Sequence, residues 1–295
     1  YLKIAEGCEK HCTYCIIPKM RGSYRSVPME ELEMQARQLV EDGVRELVLV
    51  AQESTLYGVD LYGEKKLPEL IRRLSAIEDL AWIRILYCYP EEITPELIQV
   101  IKENPKVCHY LDLPIQHVQD EILKRMGRKT TEQDLRQLIK TLRKEVPDIA
   151  LRTTLIAGFP GETQAMHENL MAFLDEMEFD RLGVFSYSPE EGTPAATFPD
   201  QLPEETKDAW RDEIMELQQE ITADANARMV GRTVDALVDG YLPGEDVYVG
   251  RTYRDAPDVD GYVFFQSSRS LLSGDMVPIS ITGADGYDLT GEMKE

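Results

Sequence analysis

The run Glu6-Gly7-Cys8-Glu9-Lys10-His11-Cys12-Thr13-Tyr14-Cys15 stands near the start of this 295-residue sequence and carries three of its five cysteines. The spacing, C-x3-C-x2-C, can place three thiolates on three irons of a cubic iron–sulfur cluster. Protein-bound clusters normally take four thiolates, and no fourth cysteine follows nearby. The spacing therefore predicts a 4Fe–4S cluster with one open iron, an arrangement typical of catalysis rather than of electron storage.

Two other uses of these cysteines compete with the cluster. A structural zinc site would need His11 as a fourth ligand, but the paired spacings usual in zinc sites are absent. A disulfide framework would suit an oxidising compartment. The sequence has no signal peptide and no apolar run of membrane-spanning length, which predicts a reducing, cytoplasmic location without membrane association. Cys88 and Cys108 lie in apolar runs and are predicted to be buried thiols.

Composition narrows the class of partner. The hydrophobic content of 43% is enough for one large core and a small second domain. The formal net charge of −22 argues against a general nucleic-acid binder and favours a positively charged partner. The cysteine run and the residues after it are locally basic, with Lys10, Lys19, Arg21 and Arg25. That local charge suits anionic cofactor groups, or it is simply a solvated loop.

Strand-like and helix-like runs alternate about six times between residues 1 and 187. The predicted strands are Leu2–Ala5, Glu46–Ala51, Trp82–Tyr87, His109–Leu113, Ala150–Ile156 and Arg181–Phe185. The predicted helices are one that begins at Pro28 and ends at Gly43, and then Leu67–Ala76, Pro95–Glu103, Glu132–Glu145 and Thr163–Glu176. This alternation indicates an α/β fold with a parallel sheet. Six units are two short of a full eight-stranded barrel, so we expect a partial (βα)6 barrel.

The polar and glycine-rich segments all follow predicted strands. In βα barrels the loops at the carboxyl ends of the strands build the active site, so we expect these segments to share one rim. They are the cysteine run, Gln52-Glu53, Tyr87–Pro90, Pro114–His117, Gly158–Glu162 and Ser186-Tyr187. Each has a purely structural alternative; Gly158–Gly161, for example, is also a good strand-to-helix turn with Thr163 as the N-cap.

The remaining sequence predicts a second domain. Residues 188–203 read as a linker rich in proline, glycine and threonine, and a charged helix is expected from about Glu204 to Met229. Five short β runs follow, at Val234–Val238, Val247–Arg251, Gly261–Phe265, Met276–Ile281 and Tyr287–Leu289. They predict a small, all-β, five-stranded closed barrel of the oligonucleotide-binding type. The expected boundaries are residues 1–187, 188–229 and 230–295.

Three segments together resemble the radical S-adenosylmethionine (SAM) methylthiotransferases. Ile4–Gly22 is similar to the cluster loop of that family, Leu155–Thr163 to a second family motif, and the terminal β domain to its TRAM module. The resemblance implies that SAM binds the open iron of the cluster. It also implies that an electron from the cluster cleaves SAM to a radical that abstracts hydrogen from a carbon, with an electron donor such as flavodoxin.

The family has two branches with different substrates. One modifies adenosines of tRNA, and the other adds a methylthio group to the β-carbon of an aspartate in small-subunit ribosomal protein S-twelve (uS12). Gln116-His117, Ala256–Gly261 and Tyr287-Asp288-Leu289 resemble the ribosomal-protein branch. From Arg228 onward there are six Lys or Arg and twelve Asp or Glu. A barrel that grips tRNA phosphates should be basic, so this acidic one favours a basic ribosomal protein and no strong nucleic-acid binding.

The resemblance also implies roles for individual residues. Cys8, Cys12 and Cys15 would bind the cluster, and Gln52 and Glu53 sit where relatives hold the amino group of SAM. Gly158 and Gly161 would let the backbone approach the adenosyl group. Three assignments have alternatives that the sequence leaves open. Arg152 would reach the SAM carboxylate or form a salt bridge, and His117, with Gln116, would position the substrate carboxylate or be merely hydrogen-bonded.

One feature of the family is missing from this sequence. Full-length methylthiotransferases carry a further domain before the cysteine run, with three cysteines for a second 4Fe–4S cluster that delivers sulfur. We therefore expect a catalytic core that cleaves SAM but does not complete methylthiolation. A non-enzymatic alternative is a ribosome-associated binding module with a purely structural cluster.

Overall fold

The computed structural model describes residues 1–294, and its first part is built on eight short strands. They are β1 (Leu2–Lys3), β2 (Ala5–Glu6), β3 (Arg25–Ser26), β4 (Glu46–Val50), β5 (Trp82–Ile85), β6 (Tyr110–Gln116), β7 (Ala150–Ala157) and β8 (Arg181–Ser186). Strands β1, β4 and β5 form one parallel sheet, and β6, β7 and β8 form another. A parallel bridge between Ile83 and Val107 joins the two sheets. The predicted partial barrel of six parallel strands is confirmed.

Helices cover the outside of this barrel. They are α1 (Ile17–Arg21), α2 (Met29–Glu41), α3 (Val59–Tyr62), α4 (Leu67–Ser75), α5 (Pro95–Glu103), α6 (Asp120–Arg125), α7 (Glu132–Glu145) and α8 (Gln164–Met177). Thr94, Thr131 and Thr163 cap α5, α7 and α8 by accepting backbone N–H bonds, which confirms Thr163 as an N-cap. The short helices α1, α3 and α6 were not predicted, because one turn or two shows no hydrophobic period.

The two faces of the barrel strands differ in polarity. Leu47, Leu49, Ile83 and Ile85 join the large core under the helices. Side chains alternate between faces along a strand, so the intervening residues point into the barrel. There Arg84 stands opposite Val48, and Asp112 opposite Arg152. The apolar runs predicted burial on both faces, and the structure adds that the inner face is partly charged.

A long helix follows the barrel. Helix α9 (Glu204–Ala227) packs against β8 and α8 and buries Trp210 and Ile214 in the large core. Trp210 stacks on the His167 ring of α8, with 4.8 Å between ring centroids. No helix among residues 1–294 has both the length and the apolar character needed to cross a membrane.

The last part of the chain forms the predicted small barrel, which is confirmed. Its strands are β9 (Thr233–Leu242), β10 (Val247–Thr252), β11 (Val263–Gln266), β12 (Met276–Asp285) and β13 (Asp288–Met293). They close in the order β10-β11-β13-β12-β9, with β11 and β13 parallel. Its core contains Val238, Phe265, Ile279 and Ile281.

The small barrel docks on the end of the large barrel where the parallel strands begin. Glu46, the first residue of β4, accepts hydrogen bonds from Arg84 at 2.7 Å and from Arg251 of β10 at 2.6 Å. The hydroxyl of Tyr110, the first residue of β6, donates to Asp260 at 2.7 Å. Two further ion pairs join the start of β8 to the segment that follows β10, namely Arg181–Asp255 and Asp180–Arg254. The amino-terminal end of the large barrel is therefore covered, and its carboxyl end carries the candidate site.

Candidate active site

The cysteine loop connects β2 to α1 and holds its three thiols without disulfides. Cys8 and Cys12 are buried and Cys15 is half-buried. The Cys15 N–H donates to the Cys12 carbonyl at 3.0 Å, which tightens the turn between them. Burial raises the pKa of both the Cys8 and the Cys15 thiol. In the free chain these thiols are therefore protonated at neutral pH, and a bound metal would displace their protons.

Two contacts fix the start of this loop. Gly7 has φ of +86°, and a Cβ there would clash with the Ser23 carbonyl, so glycine is required. The Gly7 N–H donates to Gln52 Oε1 at 2.7 Å. The side chain of Gln52 therefore ties the cysteine loop to the end of β4.

A cavity of about 380 Å³ opens beside the loop. It is lined by Lys3, Cys8, Cys15, Ile17, Val50, Ala51, Gln52, Tyr87 and Tyr89. Most of these residues come from the cysteine loop and from the segments that follow β4 and β5, and the rest from β1, α1 and the last residue of β4. For the two segments that follow β4 and β5, the predicted position beside the cysteine loop agrees with the structure.

Glu53 is fully buried next to the loop. Burial raises its pKa to about 7, although the N–H and hydroxyl of Thr55 both donate to its Oε1. Its Oε2 is buried and has no hydrogen-bond partner within residues 1–294. A buried, unpartnered carboxylate oxygen is costly unless a ligand supplies the donor. This oxygen is thus an unused acceptor, although Glu53 itself does not line the cavity beside Cys8.

The three cysteines match a cluster better than a single ion. Nowhere in the described chain do three His, Cys, Asp or Glu side chains lie close enough to share one metal ion. This arrangement does not fit the tetrahedral zinc alternative with His11. The three thiols are free and lie in one short loop, with Cys8 and Cys12 buried and Cys15 half-buried, which is a donor set that a cluster could use.

The SAM-binding role of Arg152 stays a prediction, and the structure adds the partners of its side chain. Its Nη1 donates to Asp112 Oδ1 at 3.0 Å, and its Nε lies 3.5 Å from Asp260 Oδ1 of the small barrel. Asp112 in turn accepts the Tyr87 N–H at 3.0 Å. Arg152 does not line the cavity beside Cys8, and it forms the salt bridges of the structural alternative.

Protein side chains stand close to both glycines after β7. The space a Cβ would take is filled by the Lys207 side chain at Gly158 and by the Arg125 guanidinium at Gly161. The close approach of the adenosyl group to this backbone stays a prediction. Glu162 Oε2 accepts the Gly158 and Phe159 N–H groups, which fixes the loop conformation.

His117 is fully buried and lies beside Glu162. Its Nδ1 accepts the Gln119 N–H at 3.0 Å, and its Nε2 lies 3.1 Å from Glu162 Oε1 without hydrogen-bond alignment. A substrate carboxylate cannot reach this ring in the present conformation. Gln116 adopts φ of +69° beside an irregularity in the pairing of β6. The His117 ring is hydrogen-bonded in this conformation, and the substrate role of His117 and Gln116 stays a prediction.

Two known domain families match this chain. The model of the radical SAM superfamily matches residues 2–174, which include the cysteine loop and the first seven strands. The chain belongs to the radical SAM superfamily. The TRAM domain model matches residues 230–293, the small barrel. The predicted family and its two domain types are therefore confirmed.

Curated relatives specify the branch of this superfamily. The chain is 58% identical over 291 residues to the ribosomal protein uS12 methylthiotransferase RimO of Lachnoclostridium phytofermentans, covering 99% of the chain and 66% of that relative. The enzyme of the same name from Desulfitobacterium hafniense is 49% identical over 293 residues, with 99% and 66% covered. The chain thus spans slightly less than two thirds of their length. The predicted resemblance to the methylthiotransferases is confirmed.

Solved structures show the fold alone. Coproporphyrinogen III oxidase (HemN) from Escherichia coli aligns with a TM-score of 0.53 and 19% identity, over 74% of this chain and 51% of that one. The radical SAM methyltransferase TsrM from Kitasatospora setae aligns with a TM-score of 0.53 and 18% identity, over 66% and 35%. Both comparisons support the radical SAM barrel as the fold of residues around the cavity.

Two residues near the cysteine loop were given no role from the sequence, although Tyr89 lies in the predicted rim segment Tyr87–Pro90. Tyr89 places its hydroxyl 3.3 Å from Cys12 Sγ, and Arg128 packs on the Tyr89 ring. The position of Tyr89 just after a strand was the available signal. Arg128 follows a short helix that has no motif, so nothing in the sequence pointed to it.

The two remaining cysteines lie elsewhere. Cys88 is buried in the large core, and Cys108 is buried between the large and small barrels with Trp82 and Leu237. Both are the buried thiols that the sequence predicted.

Proposed function

We propose that this chain is the SAM-cleaving core of an enzyme that adds a methylthio group to the β-carbon of an aspartate in ribosomal protein uS12. The cavity shared by Cys8, Cys15 and Gln52 carries this proposal, because it places cluster-binding thiols beside space for a small ligand. The names of the curated relatives support uS12 as the substrate.

The residues around the cavity have separate tasks in this proposal. Cys8, Cys12 and Cys15 would hold a 4Fe–4S cluster, and Gln52 would keep the loop in register through Gly7. The unpartnered Oε2 of Glu53 would accept from the SAM ammonium group, a charge-assisted hydrogen bond. When bound, the cluster and SAM supply the radical chemistry; the chain orients them and excludes water.

Recognition of uS12 is assigned to the small barrel. Its exposed acidic side chains are Asp235, Asp239, Glu245, Asp246, Asp258, Asp285 and Glu292. Arg251 is buried in ion pairs with Glu46 of the large barrel and with Asp239, and Arg254 pairs with Asp180. The exposed cations of the small barrel are Arg232, Arg269 and Lys294, so exposed acidic side chains remain in excess. Such a surface attracts a basic protein and repels nucleic acid. Cytoplasmic location and a flavodoxin-type electron donor belong to the same proposal.

The first experiment tests the chemistry of this chain. After anaerobic reconstitution with iron and sulfide, the chain is reduced with dithionite and given SAM, and 5′-deoxyadenosine is quantified. We expect cleavage of SAM but no methylthiolated uS12 peptide, because Cys88 and Cys108 are buried singly and cannot hold a second cluster. An intact cluster that leaves SAM uncleaved would favour the structural-cluster alternative, and methylthiolated peptide would contradict the expected division of labour.

The second experiment tests the substrate. The gene that encodes this chain is deleted, and uS12 and total tRNA nucleosides are compared by mass spectrometry. Loss of the methylthio group from the aspartate of uS12 is the expected result. Loss of a methylthioadenosine from tRNA with unchanged uS12 would instead assign the chain to the tRNA-modifying branch.

A further inference from the structure

A tyrosine hydroxyl lies against one of the candidate cluster ligands. Tyr89, at the carboxyl end of β5, has its oxygen 3.3 Å from Cys12 Sγ. With a free thiol either group can donate this hydrogen bond. A thiolate bound to iron has no proton, so in the loaded protein only the Tyr89 hydroxyl can donate.

Two cations lie against the ring of the same tyrosine. Arg128 Cζ is 4.1 Å and Lys10 Nζ is 5.0 Å from the ring centroid. Lys10 is neutralised by an ion pair with Glu92. A cation beside the ring withdraws electron density from it, which makes the phenol O–H a stronger donor.

The charge of Arg128 is buried and only partly compensated. Its side chain is 1% exposed, and its Nη2 donates to the Pro114 carbonyl at 3.0 Å. Its Nε and Nη1 have no hydrogen-bond partner among residues 1–294, and Glu91 Oε2 stays 3.8 Å from Nη2. A buried guanidinium with two unused donors is costly unless a nearby negative group compensates it. A cluster with thiolate ligands would supply that negative charge.

The backbone holds Arg128 in register with the cysteine loop. The Thr13 N–H donates to the Met126 carbonyl at 2.9 Å, and the Thr13 hydroxyl donates to the Arg125 carbonyl at 2.8 Å. Gly127 has φ of +77°, and a Cβ there would stand 3.4 Å from the His11 carbonyl. The segment that carries Arg128 is therefore the segment on which the loop around Cys12 rests.

We propose that Tyr89 and Arg128 raise the reduction potential of the cluster: Tyr89 donates a hydrogen bond to the Cys12 thiolate, and Arg128 strengthens that bond and adds a fixed positive charge. Hydrogen bonds to the sulfurs, net charge and solvent exposure set cluster potentials. The hydrogen bond from Tyr89 and the charge of Arg128 both stabilise the reduced cluster, because that state carries one more negative charge. The added electron comes from a one-electron donor. The inference rests on the proposed cluster site and assigns both residues a positioning role.

The test measures the midpoint potential of the reconstituted cluster by EPR-monitored redox titration without SAM. Tyr89→Phe removes the donor and keeps the ring, and Arg128→Gln removes the charge. Tyr57→Phe is the matched control, because it removes a tyrosine hydroxyl that donates to the Val27 carbonyl at 2.7 Å. We expect Tyr89→Phe to shift the one-electron equilibrium toward the oxidised cluster about tenfold, or about 59 mV.

The two variants together show how the residues act. Arg128→Gln is expected to shift the potential in the same direction, and the double variant by less than the sum, because Arg128 acts partly through Tyr89. Tyr57→Phe is expected to keep the original potential. A Tyr89→Phe variant with full iron content and an unchanged potential would overturn the inference.

A second measurement covers the case in which Tyr89→Phe binds no cluster. In the unmodified chain, exchange into D2O is expected to place a deuteron close to the cluster in electron–nuclear double resonance spectra and to shift the iron–thiolate stretching bands. Absence of both signals overturns the inference while the cluster assignment stands. Failure of the unmodified chain to bind iron would overturn the proposed function itself.

Discussion

Two buried glutamates mark the two ends of β4 and differ in their partners. Glu46 begins the strand, and its carboxylate accepts from both Arg84 and Arg251. Burial alone would raise the pKa of Glu46, but the two guanidinium groups hold it below its usual value. Glu53 follows the strand, and burial raises its pKa to about 7 while one oxygen stays unpartnered. The comparison separates a carboxylate whose charge is compensated by two guanidinium groups from one whose buried oxygen has no partner among residues 1–294.

The largest effect is expected beyond the carboxyl end of β4, where the cysteine loop lies. Replacing Cys8, Cys12 or Cys15 by Ala should abolish cluster binding, because each thiol would hold one iron and neither Cys88 nor Cys108 lines the cavity to replace it. Iron content per chain after reconstitution measures this loss. Cys108→Ala is the matched control and should retain its iron, since Cys108 is buried between the barrels. Equal iron loss in all four variants would mean that global unfolding, and not ligand removal, explains the result.

The next largest effect is expected at the amino end. Glu46→Gln leaves two buried guanidinium groups without their shared carboxylate, and breaking a buried ion pair costs about 3–5 kcal/mol. Denaturant unfolding of the cluster-free variant measures the change. Chains that remain folded should still bind iron, because Glu46 does not line the cavity. A stability within 1 kcal/mol of the unmodified chain would refute the structural role given to Glu46.

A third prediction concerns the pH dependence of Glu53. Its pKa is higher in the folded than in the unfolded chain, so the unfolded chain loses its proton first as the pH rises. Stability of the cluster-free protein should therefore fall between about pH 4.5 and 7, by up to about 3 kcal/mol, and then level off. Glu53→Gln should remove this fall. Denaturant midpoints at several pH values test it, and the same slope in both proteins would show that other groups cause it.

The smallest change in stability is expected when an exposed ion pair is broken. This change is the reference for the larger stability effects expected at Glu46 and Glu53. Arg37 and Glu33 form an exposed ion pair at 2.7 Å on α2, four residues apart. Arg37→Ala should change the free energy of unfolding by about 0.3–0.5 kcal/mol, because solvent and salt screen such pairs. A loss above 1 kcal/mol would mean that surface pairs account for much of what is assigned here to Glu46.

Much of the fold was predictable because its signals are local. The cysteine spacing lies within ten residues, and the boundaries predicted for α5 and α7 are the observed ones. The charged interior was not predictable, since Glu46 and Arg251 are 205 residues apart in the chain. The same holds for Tyr89 and Cys12, which are 77 residues apart. Gly158 shows a third limit, because a glycine pattern does not reveal whether a ligand or a lysine fills the space above it.

The contacts of Tyr87 connect the docked small barrel to the cavity beside Cys8. This cavity-lining tyrosine adopts φ of +60°, a conformation that persists only when its surroundings enforce it. Its N–H is held by Asp112, which is bound by Arg152, which in turn lies against Asp260 of the small barrel. A continuous chain of polar contacts therefore runs from the small barrel to the backbone that lines the cavity beside Cys8.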